Sequence, residues 1–457
     1  MKALLIAGDR SGSGKTSITL AIAALLSKSQ KVQTFKVGMD YIDPSYLTGV
    51  TGRPCRNLDG FVMDPAHIRM IFDHGCRDAD VALVEGVRGL YEGAEALSNR
   101  GSTAEIAREL DLNVILVVNA RSITRSAAAL VKGFLAFDPG VRISGVIANN
   151  ITGDRHRQKT VRAIEHYCGI PVIGTIPHTA AMELTMRHLG LIPYLEGIGH
   201  TEFSERIEAI TGIIGEHIDL DRLLALAGEY TPSTRPSPLD SPGGADVRIG
   251  VALDEAFNFY YADLFDVLRA LGAECVPYSP IRDRLPDADG YILGGGYPEL
   301  FGKELEANAP AREALFEASR NGTPIYAECG GLIYLTDRLL LQKGFSGSER
   351  DFEYEMCGVF SGQTSMPARR ALGYVVGMSA ADSPLGAASF RGHEFHYSDV
   401  ALEPGTRYAY RLTRGSGIRD AKDGAVRDRT IASYTHLHPV TSLDMFGHFV
   451  DCCRNRA

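Results

Sequence analysis

Short apolar runs rich in β-branched residues recur through the first part of the chain, at residues 2–7, 32–37, 81–84, 114–118, 143–148 and 172–176. Each is strand-sized and bounded by turn residues, whereas the stretches between them, such as 17–27, carry apolar positions at helical spacing. Strands alternating with helices predict a parallel sheet. The alternation stops at residues 229–245, where four prolines and two glycines leave almost nothing to bury, so no core element is expected there. The pattern therefore divides the chain into a domain at 1–228, a Pro-rich linker at 229–246 and a second domain at 247–457. Beyond the linker the rhythm restarts at 248–253, 291–293 and 324–327, then gives way to Gly-rich, aromatic, strand-rich sequence from 358 to 410. The expected fold class is α/β in both domains.

Composition narrows the function. At 457 residues the chain is long enough for two or three cores. A formal charge of -9 argues against nucleic acid or an anionic membrane as partner, because both call for a basic surface. Small molecules are the expected ligands. The eight cysteines include no C-x-x-C pair, and the N-terminus enters a strand pattern without a leader-like segment, which points to a reduced, cytoplasmic protein. No apolar run approaches the roughly 20 residues needed to cross a bilayer. A homodimer is left open.

A phosphate loop opens the chain. In Gly8-Asp-Arg-Ser-Gly-Ser-Gly-Lys15-Thr16, glycines such as Gly12 and Gly14 let backbone N–H groups converge on phosphate oxygens, Lys15 reaches the outer phosphates, and the Thr16 hydroxyl is placed to ligate Mg²⁺. Ser17 completes the expected ATP-binding set. The usual spacing would put glycine at position 9, where the chain has Asp9; glycine comes one residue early, a spacing that resembles the variant loop of dethiobiotin synthetase and related ATPases. Mg²⁺ needs one or two carboxylates besides the hydroxyl. Glu85 after the third strand run and Asp43 after the second are the candidates, with Asp40 beside them facing the substrate. Asn149 and Asn150, at the exit of the run 143–148, are candidate adenine contacts, although asparagines there are more often turn formers.

The second piece of chemistry is a cysteine elbow. A strand run enters Glu328-Cys329-Gly330-Gly331 and a helical pattern follows from Leu332, so the glycines permit a tight turn that presents the thiol. His436 and His438 lie in an apolar run, 431–438; read as one strand, it points both to the same face as candidate bases. Backbone N–H groups of Gly295 and Gly296 are candidate oxyanion donors. His393 and His396 suggest a metal site at first sight, but without further ligands a structural or interdomain role is favoured.

Taken together, Asp40-Tyr-Ile-Asp-Pro-Ser, Gly52-Arg-Pro-Cys-Arg-Asn-Leu-Asp59, Glu85-Gly-Val-Arg-Gly-Leu-Tyr-Glu-Gly93, Arg187-His-Leu-Gly-Leu191, Gly294-Gly-Gly-Tyr-Pro-Glu299, Ala327-Glu-Cys-Gly-Gly331 and Gly392-His-Glu-Phe-His-Tyr-Ser398 resemble the a,c-diamide synthases of tetrapyrrole biosynthesis. The resemblance spans almost the whole chain. It implies an N-terminal P-loop, dethiobiotin synthetase-like domain that activates macrocycle acetates with ATP and Mg²⁺, and a C-terminal class I glutamine amidotransferase-like domain that supplies ammonia. On this resemblance Lys15 and Thr16 serve ATP and metal, Asp43 and Glu85 the metal, Cys329 the nucleophile, and His436 the base with His438 as fallback. Met39, Arg88 and Glu92 depart from the cobyrinate branch, and an added guanidinium at Arg88 suits one more macrocycle carboxylate. That tilts the expected substrate toward nickel-sirohydrochlorin, the branch used in methanogenesis, over cobyrinate. The alternatives are a cobyrate-synthase-like amidotransferase, a regulatory ATPase whose glutaminase half is inactive, and a dethiobiotin-synthetase-like carboxylase that would leave the C-terminal half unexplained.

Overall fold

The computed structural model describes residues 1–182, 204–240 and 244–455, with the backbone alone at 186–187, 190–191 and 201–203. The side chains of the motif at 187–191 lie outside the described residues. The chain divides into two compact units, Met1–Arg235 and Pro236–Ala457.

In the first unit, β1 (Lys2–Gly8), β2 (Val32–Val37), β3 (Arg56–Leu58), β4 (Val81–Gly89), β5 (Asn113–Asn119), β6 (Ile143–Ile151) and β7 (Val172–Pro177) stand side by side in the order β3-β2-β4-β1-β5-β6-β7. All of these pairings are parallel. Every residue of β1 after Lys2 is buried, so the strand reads as a continuous apolar run instead of an alternating one. Helix α1 (Lys15–Leu26) lays Ile18, Ala21 and Ile22 on Leu4 and Ile6. The chain leaves β1 toward β2 on one side and later reaches β5 on the other, so the order reverses at β1. A crevice at the carboxyl ends of the strands is expected at such a reversal, and residues 8–16, 40–43 and 85–88 all emerge there.

Residues 228–230, where the Pro-rich stretch begins, belong to this unit. The strand β8 (Gly228–Glu229) pairs antiparallel with β1. Tyr230 sets its ring edge-on to Phe72 and donates its hydroxyl to Asp73 at 2.7 Å.

The second unit is built on a ten-stranded sheet of β9 (Val247–Ala252), β10 (Ala273–Tyr278), β11 (Gly290–Leu293), β12 (Ile325–Glu328), β13 (Ala371–Ser379), β14 (Ala388–His396), β15 (Arg407–Arg414), β16 (Lys422–Arg427), β17 (Thr430–Ser433) and β18 (His436–Leu437). Its order is β10-β9-β11-β12-β17-β16-β15-β13-β14-β18. The half from β10 to β17 is parallel, and the rest is antiparallel, which accounts for the strand-rich sequence after 358. Leu293, Ile325, Ala327, Leu332 and Ala432 form the centre of its core.

One expectation fails here. The run 431–438 is not a continuous strand, because the N–H groups of Tyr434 and Thr435 turn away from the ladder to the carboxylate of Asp423, at 3.0 and 2.9 Å. The break lets His436 and His438 take different directions. Among the described residues no helix is long and apolar enough to cross a membrane.

Candidate functional site

The loop after β1 owes its path to glycine. A Cβ on Gly8 would lie 2.5 Å from Ser13 Oγ and 3.0 Å from the Arg10 carbonyl, so the early glycine is what lets the loop fold back on itself. Gly12 and Gly14 take φ of 74° and 89°, a left-handed region that costs other residues roughly 1–2 kcal/mol. Gly14 caps α1, and a Cβ there would meet Asn149 Nδ2 at 2.2 Å. Asn149 therefore faces the loop, donating its amide to the Ser13 carbonyl at 2.8 Å. That hydrogen bond ties the residue read as an adenine contact to the loop backbone. Asn150 sits in the left-handed region and shares hydrogen bonds with Asn119 and His178. Ser17 is buried and donates to the Met182 carbonyl at 2.9 Å.

Below the loop, five side chains meet. Thr16 Oγ1 lies 2.7 Å from Glu85 Oε1 and 3.4 Å from Asp43 Oδ2. Lys15 Nζ reaches Glu85 Oε1 at 3.2 Å. Lys36, near the end of β2, places its ammonium 2.5 Å from Asp43 Oδ2 and 2.8 Å from Glu85 Oε1. Burial alone would raise the Glu85 carboxyl, but Lys36 and Lys15 outweigh it and hold the group down at about 2. Burial likewise depresses the Lys36 ammonium on its own, and the opposing pull of Asp43 and Glu85 leaves it well above the ordinary lysine range. Lys15 is pushed down by burial and by Lys36. Asp40 is pushed up to about 6 by burial and by the neighbouring Asp43, while its Oδ1 accepts the backbone N–H of Ile42 and Asp43 at the start of helix α2 (Ile42–Thr51). Arg88 is exposed at φ 49°, late in β4 and three residues beyond Glu85.

This donor set suits a hard divalent cation. Two carboxylates and a hydroxyl converge, and Glu85 Oε2 is buried without a hydrogen-bond partner. Among the described residues no three His, Cys, Asp or Glu side chains gather as a metal cage. Mg²⁺ characteristically takes few protein ligands and completes its shell with water and phosphate oxygens.

In the second unit Cys329 sits at φ 46° between β12 and the short helix Gly330–Leu335, a strained turn that glycines on its far side accommodate. Gly330 lies against the predicted oxyanion loop: a Cβ on it would stand 3.0 Å from Gly296 N and 3.3 Å from the Gly295 carbonyl carbon. Gly296 has φ 152° and its backbone passes so close to the Ala256 carbonyl that a Cβ would be 2.0 Å away. Gly295 approaches His436, whose Cε1 would be 2.8 Å from an added Cβ.

His436 is hydrogen-bonded to the Cys329 thiol and, through Nδ1, to Glu328 Oε2 at 3.0 Å. Burial alone would lower its imidazolium; the bonds to Cys329 and Glu328 prevail and raise it to about 10. His438 takes the other direction, with Nε2 3.5 Å from Asp263 Oδ2, both side chains fully buried. His393 stacks on His436 with centroids 4.8 Å apart, and His396 stacks on Tyr434 at 3.5 Å. The structure thus brings Cys329, His436, Gly295 and Gly296 together and sets His438 apart.

Two residues of these clusters escaped the sequence reading. Lys36 stands in a strand whose residues are all buried, and a lysine at the carboxyl end of such a run was the available signal. Glu328 shows in the sequence only as part of the elbow.

Residues 4–192 match the family described as the CobQ/CobB/MinD/ParA nucleotide binding domain, and residues 248–442 match the CobB/CobQ-like glutamine amidotransferase domain. A protein of Methanosarcina acetivorans named cobyrinate a,c-diamide synthase is 50% identical over 98% of this chain and 94% of its own. A protein of the same name from Methanosarcina barkeri is 48% identical over 99% and 96%. One from Listeria monocytogenes is 40% identical over 98% of each chain.

Proposed function

The chain belongs to the cobyrinate a,c-diamide synthase family, ligases that carry a glutamine amidotransferase domain, and from that premise we propose that it uses ATP and glutamine to amidate the a and c acetate carboxylates of a tetrapyrrole. The observation that carries this reading is the pairing, in one chain, of a phosphate loop backed by buried carboxylates with a cysteine in hydrogen-bond reach of a histidine.

In the first unit, a substrate carboxylate oxygen attacks the terminal phosphorus of ATP and ADP leaves, giving an acyl phosphate. Lys15 neutralises charge on the transferring group from the end of the loop. Thr16, Asp43 and Glu85 would hold Mg²⁺, which supplies further charge neutralisation on the phosphates. Lys36 keeps Glu85 ionised and ties Asp43 and Glu85 together beside the loop. In the second unit, the Cys329 sulfur attacks the side-chain carbonyl carbon of glutamine, and the developing oxyanion turns to the N–H groups of Gly295 and Gly296. His436 passes the thiol proton to the departing ammonia, and water then hydrolyses the thioester to glutamate. Ammonia attacks the acyl phosphate and expels phosphate, leaving an amide.

The identity to relatives named for cobyrinate supports that macrocycle. Nickel-sirohydrochlorin is the second reading, favoured by the exposed Arg88 three residues beyond Glu85, whose guanidinium would offer an additional carboxylate a bidentate partner. The test is the nitrogen source. Cys329→Ala is expected to lose amidation from glutamine and keep amidation from added ammonia, whereas Lys15→Ala loses both. Equal loss from both sources in a folded Cys329→Ala protein would contradict the division of labour.

A further inference from the structure

We propose that Glu328, the residue immediately before the nucleophile, is the positioning carboxylate of the glutamine-hydrolysing site, holding His436 in the orientation and tautomer that serve Cys329. The proposal rests on Cys329 being the glutaminase nucleophile. Glu328 Oε2 takes Nδ1 of His436 at 3.0 Å, which leaves Nε2 as the ring nitrogen for the sulfur. The carboxylate is itself fixed. Its Oε1 accepts the Leu437 N–H at 2.9 Å, so the residue next to the base anchors the group that orients the base, and it also accepts the Tyr326 hydroxyl. Tyr326 and Glu328 lie two apart on β12 and so share a face. On the other side of the imidazole, His393 stacks at an interplanar angle of 21° and restricts ring rotation.

Neighbouring buried groups are engaged elsewhere. The residue two positions after the base is His438, which pairs with Asp263. Asp423 accepts from Tyr434 N, Thr435 N and Thr435 Oγ1. Glu394 accepts the N–H groups of Ser416 and Gly417 at 2.7 and 3.0 Å. Glu328 reaches His436 because parallel pairing sets it opposite Ser433 in β17, three residues before the base.

The proton balance is closed without Glu328 changing state. Nε2 of His436 already holds the proton given up by the Cys329 sulfur; the thiolate forms the S–C bond to the glutamine carbonyl, and His436 delivers that proton to the nitrogen as the C–N bond breaks. Glu328 exchanges no proton in these steps; it accepts from Nδ1 and stabilises the imidazolium until the proton leaves.

The experiment is steady-state glutamine hydrolysis by the full chain across pH, with Glu328→Gln, Glu328→Asp and Cys329→Ala side by side. Glu328→Gln keeps an acceptor for Leu437 and removes the charge. Its kcat is expected to fall by about 10²–10⁴-fold, the range that a correctly positioned acid–base group contributes, with the KM for glutamine little changed. Its alkaline limb should move to lower pH, since an imidazolium without its anionic partner deprotonates sooner, and Glu328→Asp should recover part of the rate. If Cys329→Ala abolishes hydrolysis while Glu328→Gln keeps the wild-type kcat and pH profile, the proposal is overturned alone. If Cys329→Ala hydrolyses glutamine at the wild-type rate, the reading beneath it falls as well. A Glu328→Gln protein whose kcat and KM change together with a lower thermal midpoint would assign the residue a structural role and also overturn the proposal.

Discussion

Lys36→Met tests whether a buried cation holds the phosphate site together. The substitution keeps most of the side-chain stem and deletes an ammonium that lies 2.5 Å from Asp43 and 2.8 Å from Glu85. Breaking a buried ion pair by removing one partner costs about 3–5 kcal/mol, because a carboxylate is left desolvated and unpaired. An exposed pair such as Lys2–Glu229 is screened by water and contributes far less by comparison. Lys15 still reaches Glu85 at 3.2 Å, which places the expected loss toward the lower end. In a unit of this size each kcal/mol moves the thermal midpoint by about 2–4 °C, so the fall should be roughly 6–12 °C for a loss near 3 kcal/mol. The assay is calorimetric unfolding of the full chain in EDTA for Lys36→Met, Glu85→Gln and the double variant. The double variant should be less destabilised than the two singles combined, since it leaves one buried carboxylate fewer without a partner. Mg²⁺ with ADP should restore part of the Lys36→Met loss through binding to the same carboxylates. A midpoint shift below about 2 °C for Lys36→Met, which corresponds to under 1 kcal/mol, or strictly additive singles, would refute the reasoning.

Other outcomes follow from the same geometry. Glu85 is held at about 2 against an ordinary 4.5, so its contribution to stability is present above pH 4.5 and is lost as pH falls toward 2; denaturant unfolding should show that acid slope in the wild type and a flatter one in Glu85→Gln. Gly14→Ala, at φ 89° with a Cβ 2.2 Å from Asn149 Nδ2, should displace the loop and weaken ADP binding in calorimetric titration, and unchanged affinity would mean that the loop geometry is not what binds the nucleotide. His436→Ala should abolish glutamine hydrolysis, whereas His438→Ala should lower the thermal midpoint by disturbing the buried pair with Asp263 and retain kcat/KM; the reverse result would exchange their roles.

What could be seen in the sequence was local. The phosphate loop and the cysteine elbow declare themselves through glycines at short spacing, and each lies at a strand exit because apolar runs and turn residues mark those exits. What could not be seen depends on which strands become neighbours. Lys36 matters because β2 pairs with β4 and sets Lys36 opposite Glu85 in register, a pairing that no local pattern states. Glu328 becomes the partner of His436 only because β12 pairs with β17. The face shared by His436 and His438 was inferred from strand alternation, and it failed at Tyr434 and Thr435, whose N–H groups are captured by Asp423 from the neighbouring β16. The place of Asn149 at a strand exit is legible in the sequence; the direction of its amide, set by the close approach of Gly14, is not.

Mass spectrometry of the products bears most directly on the central claim, with the full chain given ATP, Mg²⁺ and glutamine and offered cobyrinate and nickel-sirohydrochlorin in parallel. The account predicts that one macrocycle exchanges hydroxyl for amino at two carboxylates, with glutamate, ADP and phosphate formed alongside. Unchanged masses on both macrocycles, from a protein that still hydrolyses glutamine and binds nucleotide, would contradict it.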